Sequence, residues 1–339
     1  MKGYIRLAAA IVAIGLLAFS IHSVRSRVPA APDFPSATMN AQSPTVVVEI
    51  PSGATGSQVG QILFEKGVTK SALAYFRAAV ANPKSTQVAP GAHLLHLKIS
   101  AKQALAQLLD PNRIPNLIKV FEGAWKSEIK TSLIKYGFSA VEIDRAFKNI
   151  VLPKGFVDAE GLLFPAQYSF PKGTSAVEAV QSMINRFRSE VAGENLLSAS
   201  GKYSPQQLLV IASIVQAEGD VKDFAKVSRV VRNRLEISMP LQLDSTVHYI
   251  KKVRGQIFLS TDSTLIKSDY NTYKRYGLPP TPIGNPGSAA IDAALNPSPG
   301  DWLFFITVAP GDTRFTRSND EFLQWKTLYQ KNRKAGAFN

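Results

Sequence analysis

Glu218 is the residue whose type and position could do acid–base chemistry in this sequence. It ends an apolar stretch (SPQQLLVIASIVQAEG, residues 204–219) that predicts a helix. Ser204 can begin a capping box, Pro205 suits the first helical position, and a glycine follows the acid. At about 100° per residue, Glu218 lies within roughly 20° of Ile211 around the helix. We therefore expect its carboxyl on the buried face.

A carboxyl in this position is suited to general-acid catalysis. An apolar surround, the loss of water and the negative end of the helix dipole would all raise the pKa of Glu218. A carboxylic acid that stays protonated near neutral pH can donate a proton to a leaving group. A glutamate at a helix end can equally reach solvent or pair with an arginine. The position alone therefore leaves a catalytic and a structural role open.

Length and charge bound the class of protein. With 339 residues, 45% hydrophobic and 19% charged, the chain can form about two domains with apolar cores. Its net charge of +14 indicates an anionic partner, which could be nucleic acid, an anionic membrane surface or an acidic polymer. It has no cysteine and four scattered histidines, which excludes disulfides and thiol chemistry and leaves little for zinc. We expect neither a metal site nor a cofactor.

The N-terminus indicates a membrane. Residues 7–21 (LAAAIVAIGLLAFSI) carry no charge and, with apolar neighbours, approach the about 20 residues that span a bilayer. A cleaved signal peptide is the alternative, but no clean small-x-small cleavage site follows, which favours an uncleaved anchor over residues 1–24. Residues 25–44 are rich in Pro, Ala and Ser and predict a tether. We then expect a single-pass protein of the cell membrane whose body lies outside the cytoplasm, where nucleic acid is not an expected partner.

The rest of the sequence predicts an α+β fold in two parts. Residues 45–110 alternate strand and helix patterns, with strands at 45–50 and 93–99, and predict a small αβ module. His93 and His96 are expected to lie on the second of these strands. Residues 111–339 predict a mixed α/β domain built around the helix-borne glutamate.

Two further elements and two loops of this domain matter for a site. A helix over 223–236 is expected to point Val227, Val230, Val231 and Leu235 inward, with arginines on its flanks. Residues 301–308 (DWLFFITV) predict a strand that is apolar and buried on both faces. The loops at 239–246 and 269–273 are dense in Asn, Tyr, Gln and Asp, the composition expected where a binding cleft is built.

Five motifs of the second part carry a resemblance to a known family. They are ASIVQAEG at 212–219, NRL at 233–235, MPLQLDSTV at 239–247, YNTY at 270–273 and GLPPTPIGNPGSAAIDAALNP at 277–297. In order and spacing they resemble the endolytic murein transglycosylases of the YceG-like family, and EGLLFPAQY at 160–168 looks like that family's upstream signature. The resemblance covers residues 160–316. An anchor and a LysM-like module at 45–110 fit it as well.

The resemblance implies a membrane-anchored lyase that cuts within peptidoglycan. Such an enzyme cleaves the β-1,4 bond between N-acetylmuramic acid and N-acetylglucosamine inside a glycan strand, leaves 1,6-anhydro-muramic ends, and so terminates or processes nascent glycan. Its expected partners are glycan strands, the membrane and the cell-wall synthesis machinery.

The same resemblance assigns site residues. Glu218 matches the family's catalytic glutamate, and Gln242, Asp244, Asn271 and Tyr273 match cleft residues that bind sugar or orient the glutamate. Two segments depart from the family pattern. Thr313 stands where many relatives have histidine, and Ala166-Gln167 stands where Asp-Thr is usual, so neither segment is assigned a site role.

Three functional hypotheses remain open. A lytic transglycosylase needs one acid, because the C6 hydroxyl of the same muramic residue attacks C1. A hydrolase needs two carboxylates, about 5 to 9.5 Å apart, for which Asp244 is the best second candidate. Asp244 could instead form an Asx turn or pair with Arg232 or Arg234. The third hypothesis is a non-catalytic glycan-binding scaffold, which has no need for an acid on a buried face.

Overall fold

The computed structural model describes residues 30–36, 38–40, 43–51, 53–115, 117–170, 173–254 and 261–338. These residues form an α+β fold of twelve α-helices and three two-stranded antiparallel sheets. The predicted membrane span at 7–21 lies outside them, and none of the helices they form is both long and apolar enough to cross a bilayer. The fold divides into two compact units, one up to Pro115 with residues 169–170, the other made of the remainder.

The first unit is a small αβ module. Its elements are β1 (Thr45–Ile50), α1 (Gly56–Glu65), α2 (Ala72–Val80), β2 (Gly91–His96) and α3 (Ala101–Leu108). The two strands pair antiparallel, with Thr45 opposite His96 and Ile50 opposite Gly91. The side chains of Thr55, Ser71 and Ser100 cap the three helices, which is why short polar residues precede each apolar run.

The sequence predicted the bounds of β1 correctly but placed the end of β2 too late. β1 has the predicted bounds, and His93 and His96 both lie on β2, where they are buried. β2 ends at His96 rather than at residue 99, and Lys98 adopts a left-handed backbone with φ 55° that turns the chain towards α3. Part of the predicted tether contacts this unit, because the Asp33 carboxylate accepts the Ala101 N–H at 3.0 Å.

The second unit is mainly helical. Its strands are β3 (Ile118–Lys119) paired with β4 (Gln167–Tyr168), and β5 (Phe304–Ala309) paired with β6 (Asp312–Thr316). Its helices are α4 (Lys126–Tyr136), α5 (Ala140–Asn149), α6 (Ala176–Ser189), α7 (Val191–Ser198), α8 (Pro205–Glu218), α9 (Phe224–Glu236), α10 (Asp244–Lys251), α11 (Ser288–Leu295) and α12 (Asn319–Lys334).

Helix α8 is the core of this unit. It begins with the predicted capping box of Ser204 and Gln207 and ends at Glu218. Eight consecutive residues, 208–215, are buried, so the helix is enclosed on all sides rather than along one stripe. It packs against α7, α9, α10 and α11. The last turn emerges from this enclosure and brings the carboxyl of Glu218 to a partly exposed position.

Two predictions about neighbouring elements were wrong in detail. On α9, Val227, Val230 and Val231 are buried as expected, but Arg234 is buried and Leu235 is only partly so. The strand predicted at 301–308 is β5, which begins at Phe304 and ends at Ala309, and of its residues only Val308 is buried. β5 is one half of a two-stranded hairpin, so its large rings, such as Phe305 stacked on Phe315, cover one another at the surface instead of being enclosed on both faces.

Candidate active site

Glu218 joins the end of one helix to the start of another. The backbone N–H of Ser245 donates a hydrogen bond to Glu218 Oε1 at 3.2 Å. Ser245 lies in the first turn of α10, which Leu243 precedes without a side-chain oxygen to cap it. The carboxylate of Glu218 therefore supplies, from a different helix, the acceptor that a helix N-terminus requires.

The glycine after Glu218 is there for close packing rather than for a left-handed turn. Gly219 ends α8 with an extended backbone, φ −129° and ψ 165°. A Cβ at this position would lie 3.2 Å from Val227 and 3.3 Å from Phe224, both on α9. The absent side chain lets α9 approach the end of α8 and hold the acid in place.

The environment raises the pKa of Glu218. Desolvation by burial is the largest cause, and the charge of Asp244 adds to it, whereas hydrogen bonding from Ser245 and the guanidinium of Arg234 act in the opposite direction. The net shift is upward. The sequence predicted this direction, although the N-terminus of α10, which favours the ionised form, was not foreseen. A protonated carboxyl at neutral pH is the form that a general acid needs.

Asp244 is paired with Tyr273 rather than with an arginine. The Tyr273 hydroxyl donates to Asp244 Oδ1 at 2.5 Å. Burial raises the pKa of Tyr273, and its bond to Asp244 raises it further, so the hydroxyl remains a donor. Arg232 and Arg234, the two partners considered from the sequence, donate instead to backbone carbonyls. Asp244 and Tyr273 thus form a pair beside the Glu218 carboxyl.

Asn271 organises the loop that carries Tyr273. Its side chain is fully buried. Its amide nitrogen donates to the carbonyls of Thr264 and Ile266 at 3.0 and 2.8 Å, and its Oδ1 accepts the Tyr273 N–H at 3.0 Å. With these bonds made, the geometry favours the orienting role over a direct sugar contact.

Gln242 reaches the same region from an unusual backbone. It has a left-handed φ of 46° and an exposed side chain. Its N–H donates to the carbonyl of Thr272 at 3.1 Å, and the N–H of Leu243 donates to the Thr272 hydroxyl at 3.0 Å. These bonds tie the two polar loops together and leave the Gln242 side chain available to a ligand.

Arg234 supplies a buried positive charge near the site. It is 7% exposed, and it donates to the carbonyl of Leu303 at 2.6 Å and that of Leu241 at 2.5 Å. Its charge lowers the pKa of Glu218, though less than burial raises it. The sequence placed this residue on a flank of the helix, because the helical pattern does not show that the carbonyls of Leu241 and Leu303 accept its protons.

Glu160 is a buried acid that was not assigned a role. It is 1% exposed. Its Oε1 accepts the Lys126 N–H at 2.9 Å and the Asn285 amide at 3.0 Å, and its Oε2 accepts the Tyr249 hydroxyl at 2.9 Å. Burial raises the pKa of Glu160 to about 7, although the hydrogen bonds and two lysines act against this. The available signal was an acid placed directly before an unbroken apolar run, GLLFP.

The site is therefore a set of acids, hydroxyls and amides. Across the part of the chain that is described, no group of three or more His, Asp or Glu side chains is arranged to hold a metal ion. Glu218 can give and take a proton, Asp244 and Tyr273 form a fixed polar pair, and Gln242 offers an exposed amide. This set suits the binding and cleavage of a polar, uncharged bond such as a glycosidic one.

Comparison with known proteins identifies the family to which the chain belongs. The sequence profile of the YceG-like family matches residues 48–327. A protein of Bacillus subtilis strain 168 named endolytic murein transglycosylase is 32% identical over 289 residues, which cover 82% of this chain and 74% of the relative. A Streptococcus pneumoniae protein (serotype 2, strain D39) of the same name is 27% identical over 314 residues, and the match spans 57% of its length.

A solved structure shows a similar fold. The crystal structure of a YceG-like protein from Listeria monocytogenes superposes with a TM-score of 0.55 at 25% identity. The match covers 83% of this chain and 98% of that one. The similarity therefore extends over both units and well beyond the motifs at 160–316.

Proposed function

This chain is a member of the YceG-like family, and we propose that it is an endolytic murein transglycosylase, a lyase that cuts glycan strands of peptidoglycan. The observation that carries the proposal is the Glu218 carboxyl, whose pKa is raised by burial and which the Ser245 N–H holds beside the pair of Asp244 and Tyr273. The resemblance of the motif ASIVQAEG supports the same residue, because Glu218 matches the family's catalytic glutamate.

One carboxyl suffices for this reaction. Protonated Glu218 gives its proton to the glycosidic oxygen, so that the N-acetylglucosamine side leaves as an alcohol. Positive charge develops at C1 of the muramic residue, and its own C6 hydroxyl attacks there. The ionised Glu218 takes the hydroxyl proton and returns to its starting form. No water is consumed, and the new end is a 1,6-anhydro sugar.

The neighbours of Glu218 fit this double role. The negative charge of Asp244 raises the pKa of Glu218 and so favours the acid form before the bond breaks. The Ser245 N–H and the Arg234 guanidinium stabilise the ionised form that exists between the two proton transfers. Gln242, with its free amide, contacts sugar, and Tyr273 and Asn271 hold Asp244 and the loop in position.

A hydrolase is the second candidate, because Asp244 is near enough to act on Glu218 electrostatically. In that reaction Asp244 would activate a water or form a covalent intermediate. The hydrogen bond from Tyr273 at 2.5 Å occupies one of its oxygens, which favours the single-acid reaction.

The product distinguishes the two reactions. Purified glycan strands are digested in H₂¹⁸O and the fragments are analysed by mass spectrometry. The transglycosylase reaction gives unlabelled 1,6-anhydro ends and, because cleavage is internal, a spread of strand lengths. Labelled reducing ends as the main product would show that the protein is a hydrolase and not a transglycosylase. Binding without any turnover would identify a scaffold.

The first unit is proposed to be a LysM-like glycan-binding module. A cavity of about 360 Å³ lies between the β1–α1 loop and the segment before β2, lined by Pro51, Gly53, Thr86 and Val88 among others. Its size lies at the lower end of the range typical of small-ligand sites. Weaker retention on peptidoglycan after Thr86→Arg, which fills this cavity, would support the assignment, and unchanged retention would contradict it.

Residues 7–21 are proposed to anchor the protein in the cell membrane, with both units outside the cytoplasm. The proposal rests on the uncharged apolar stretch and on the location of peptidoglycan. Protease added to intact, wall-stripped cells should digest the body of the protein, whereas protection until lysis would show the opposite topology. In this position the enzyme could also meet the cell-wall synthesis machinery.

A further inference from the structure

A cavity lies beside Ser245, the residue whose backbone N–H binds the Glu218 carboxylate. It has a volume of about 240 Å³ and is lined by Ala217, the residue before the acid, and by Ser245, whose N–H binds it. His248 and Arg254 also line it. The Nε2 atom of His248 is buried and finds no hydrogen-bond partner among the residues that the structure describes. An unpaired polar atom in a cavity indicates that a polar ligand or water completes it.

The cavity continues as a groove between β3 and α4. A second cavity of about 540 Å³ shares Arg254 with the first, and a third of about 310 Å³ shares Lys119, Phe121 and Lys135 with the second. Because neighbouring cavities share lining residues, they adjoin one another along the surface of the second unit. We call this groove the β3–α4 groove, defined by Lys119, Phe121, Ser132 and Lys135.

The spacing of its residues follows from the two elements. On α4, Glu128, Ser132 and Lys135 lie four and three residues apart, so they share one face of the helix. On β3, Ile118 points into the core and Lys119 points outward. From Glu128 to the end of α4 the helix extends about 12 Å, which is longer than a single sugar ring.

The exposed groups of the groove suit a charged glycan. Phe121 is 70% exposed, although it is a large apolar ring. Lys119 and Lys135 are exposed and make no ion pair within the described residues. Glu122 adds one exposed carboxylate, and the charge of Glu128 is balanced by Arg254, which binds it at 2.7 Å. The groove thus offers a flat aromatic surface between free cations.

We propose that the β3–α4 groove binds the part of the glycan strand that extends to one side of the cleaved bond. The proposal rests on the function proposed above. An enzyme that cuts inside a strand must hold several sugars beside its acid, and the groove shares Arg254 with the cavity that is lined by Ser245, the residue that binds the acid. The Phe121 ring stacks on a sugar face, and Lys119 and Lys135 attract the carboxylates of the stem peptides.

The experiment measures KM and kcat of the full-length protein on long glycan strands and on the shortest strand that it cleaves. Phe121→Ala and Lys135→Glu should each raise KM for long strands by about five- to tenfold with kcat within twofold. The shortest strand, which does not fill the groove, should be affected less. Val141→Ala and Lys148→Glu, changes of the same kind at exposed positions of α5, are the matched controls and should leave KM unchanged.

A binding measurement separates this proposal from the proposed function. Equilibrium binding of long strands is measured in the Glu218→Gln background, with and without Phe121→Ala and Lys135→Glu, so that the result does not depend on turnover. Weaker binding in both variants supports the assignment of the groove as a glycan-binding site. If the wild type binds strands in this way but cleaves none, only the proposed transglycosylase activity is refuted. Unchanged Kd and KM in both variants, or equal effects on short and long strands, would overturn the groove.

Discussion

The Ser245 N–H and the Glu218 carboxylate, 3.2 Å apart, join the start of α10 to the end of α8. Through this bond one carboxyl is subject to two opposed influences. The end of α8 and the desolvated surround favour its protonated form, and the start of α10 favours its ionised form. A catalytic carboxyl must give a proton and then take one back. Opposed influences suit this role, because neither the protonated nor the ionised form is stabilised so strongly that the other becomes inaccessible.

Replacement of Glu218 by glutamine should abolish turnover and preserve binding. Glu218→Gln keeps an oxygen that can accept the Ser245 N–H, so the fold and the cleft should persist, but the proton donor is lost. We expect turnover of glycan strands to fall by about 10² to 10⁴, with the Kd for strands nearly unchanged. Glu236→Gln, at the exposed end of α9, is the control. If the Glu218→Gln protein kept most of its activity, Glu218 would not be the proton donor.

Removal of the charge on Asp244 should shift the pH dependence of the rate downward. Because Asp244 raises the pKa of Glu218, Asp244→Asn should lower that pKa, and the acid form should be lost at a lower pH. The alkaline limb of the kcat profile should therefore move to lower pH, while the product keeps its 1,6-anhydro ends. The exposed Asp269, which pairs with Arg275, provides the control Asp269→Asn. An alkaline limb that stays in place or moves upward would contradict the prediction.

Truncation of Asn271 should cost stability rather than substrate affinity. Asn271→Ala removes the two hydrogen bonds that the fully buried amide donates to the carbonyls of Thr264 and Ile266, and the free energy of unfolding should fall by about 1 to 3 kcal/mol. KM of the protein that remains folded should stay near the wild-type value. Denaturant unfolding and steady-state kinetics check both parts, with the exposed Asn195→Ala as control. A large rise in KM with no loss of stability would instead show that Asn271 contacts the sugar directly.

Local patterns predicted the elements that carry the site. The capping box of Ser204 and Gln207, the end of α8 at Glu218 and the buried valines of α9 all follow from residues within one or two helical turns. The same is true of β1 in the first unit, which has the predicted bounds. Such features depend on residues that are close together in the sequence, so they can be predicted from the sequence alone.

Contacts between distant segments were predicted poorly. Tyr273 lies 29 residues from its partner Asp244, and Arg234 donates to a carbonyl 69 residues away. Periodicity shows which face of a helix is apolar, but it does not show which distant carbonyl will accept a proton from a polar side chain. For the same reason Glu160 was overlooked, since the groups that bind it come from positions 126, 249 and 285.

Glu160 should make the stability of the second unit depend on pH. Its pKa is about 7 in the folded protein against an ordinary 4.5, so the folded state binds the proton more tightly than the unfolded chain. Stability from this group is complete below pH 4.5 and is lost as the pH rises to about 7, by about 3 kcal/mol in all. Glu160→Gln keeps an acceptor for the Lys126 N–H and can donate to Tyr249, yet it cannot ionise. Urea unfolding at pH 5 and pH 8 should show the wild type losing stability relative to this variant. The exposed Glu194→Gln should follow the wild type, and parallel changes in all three proteins would contradict the assigned titration.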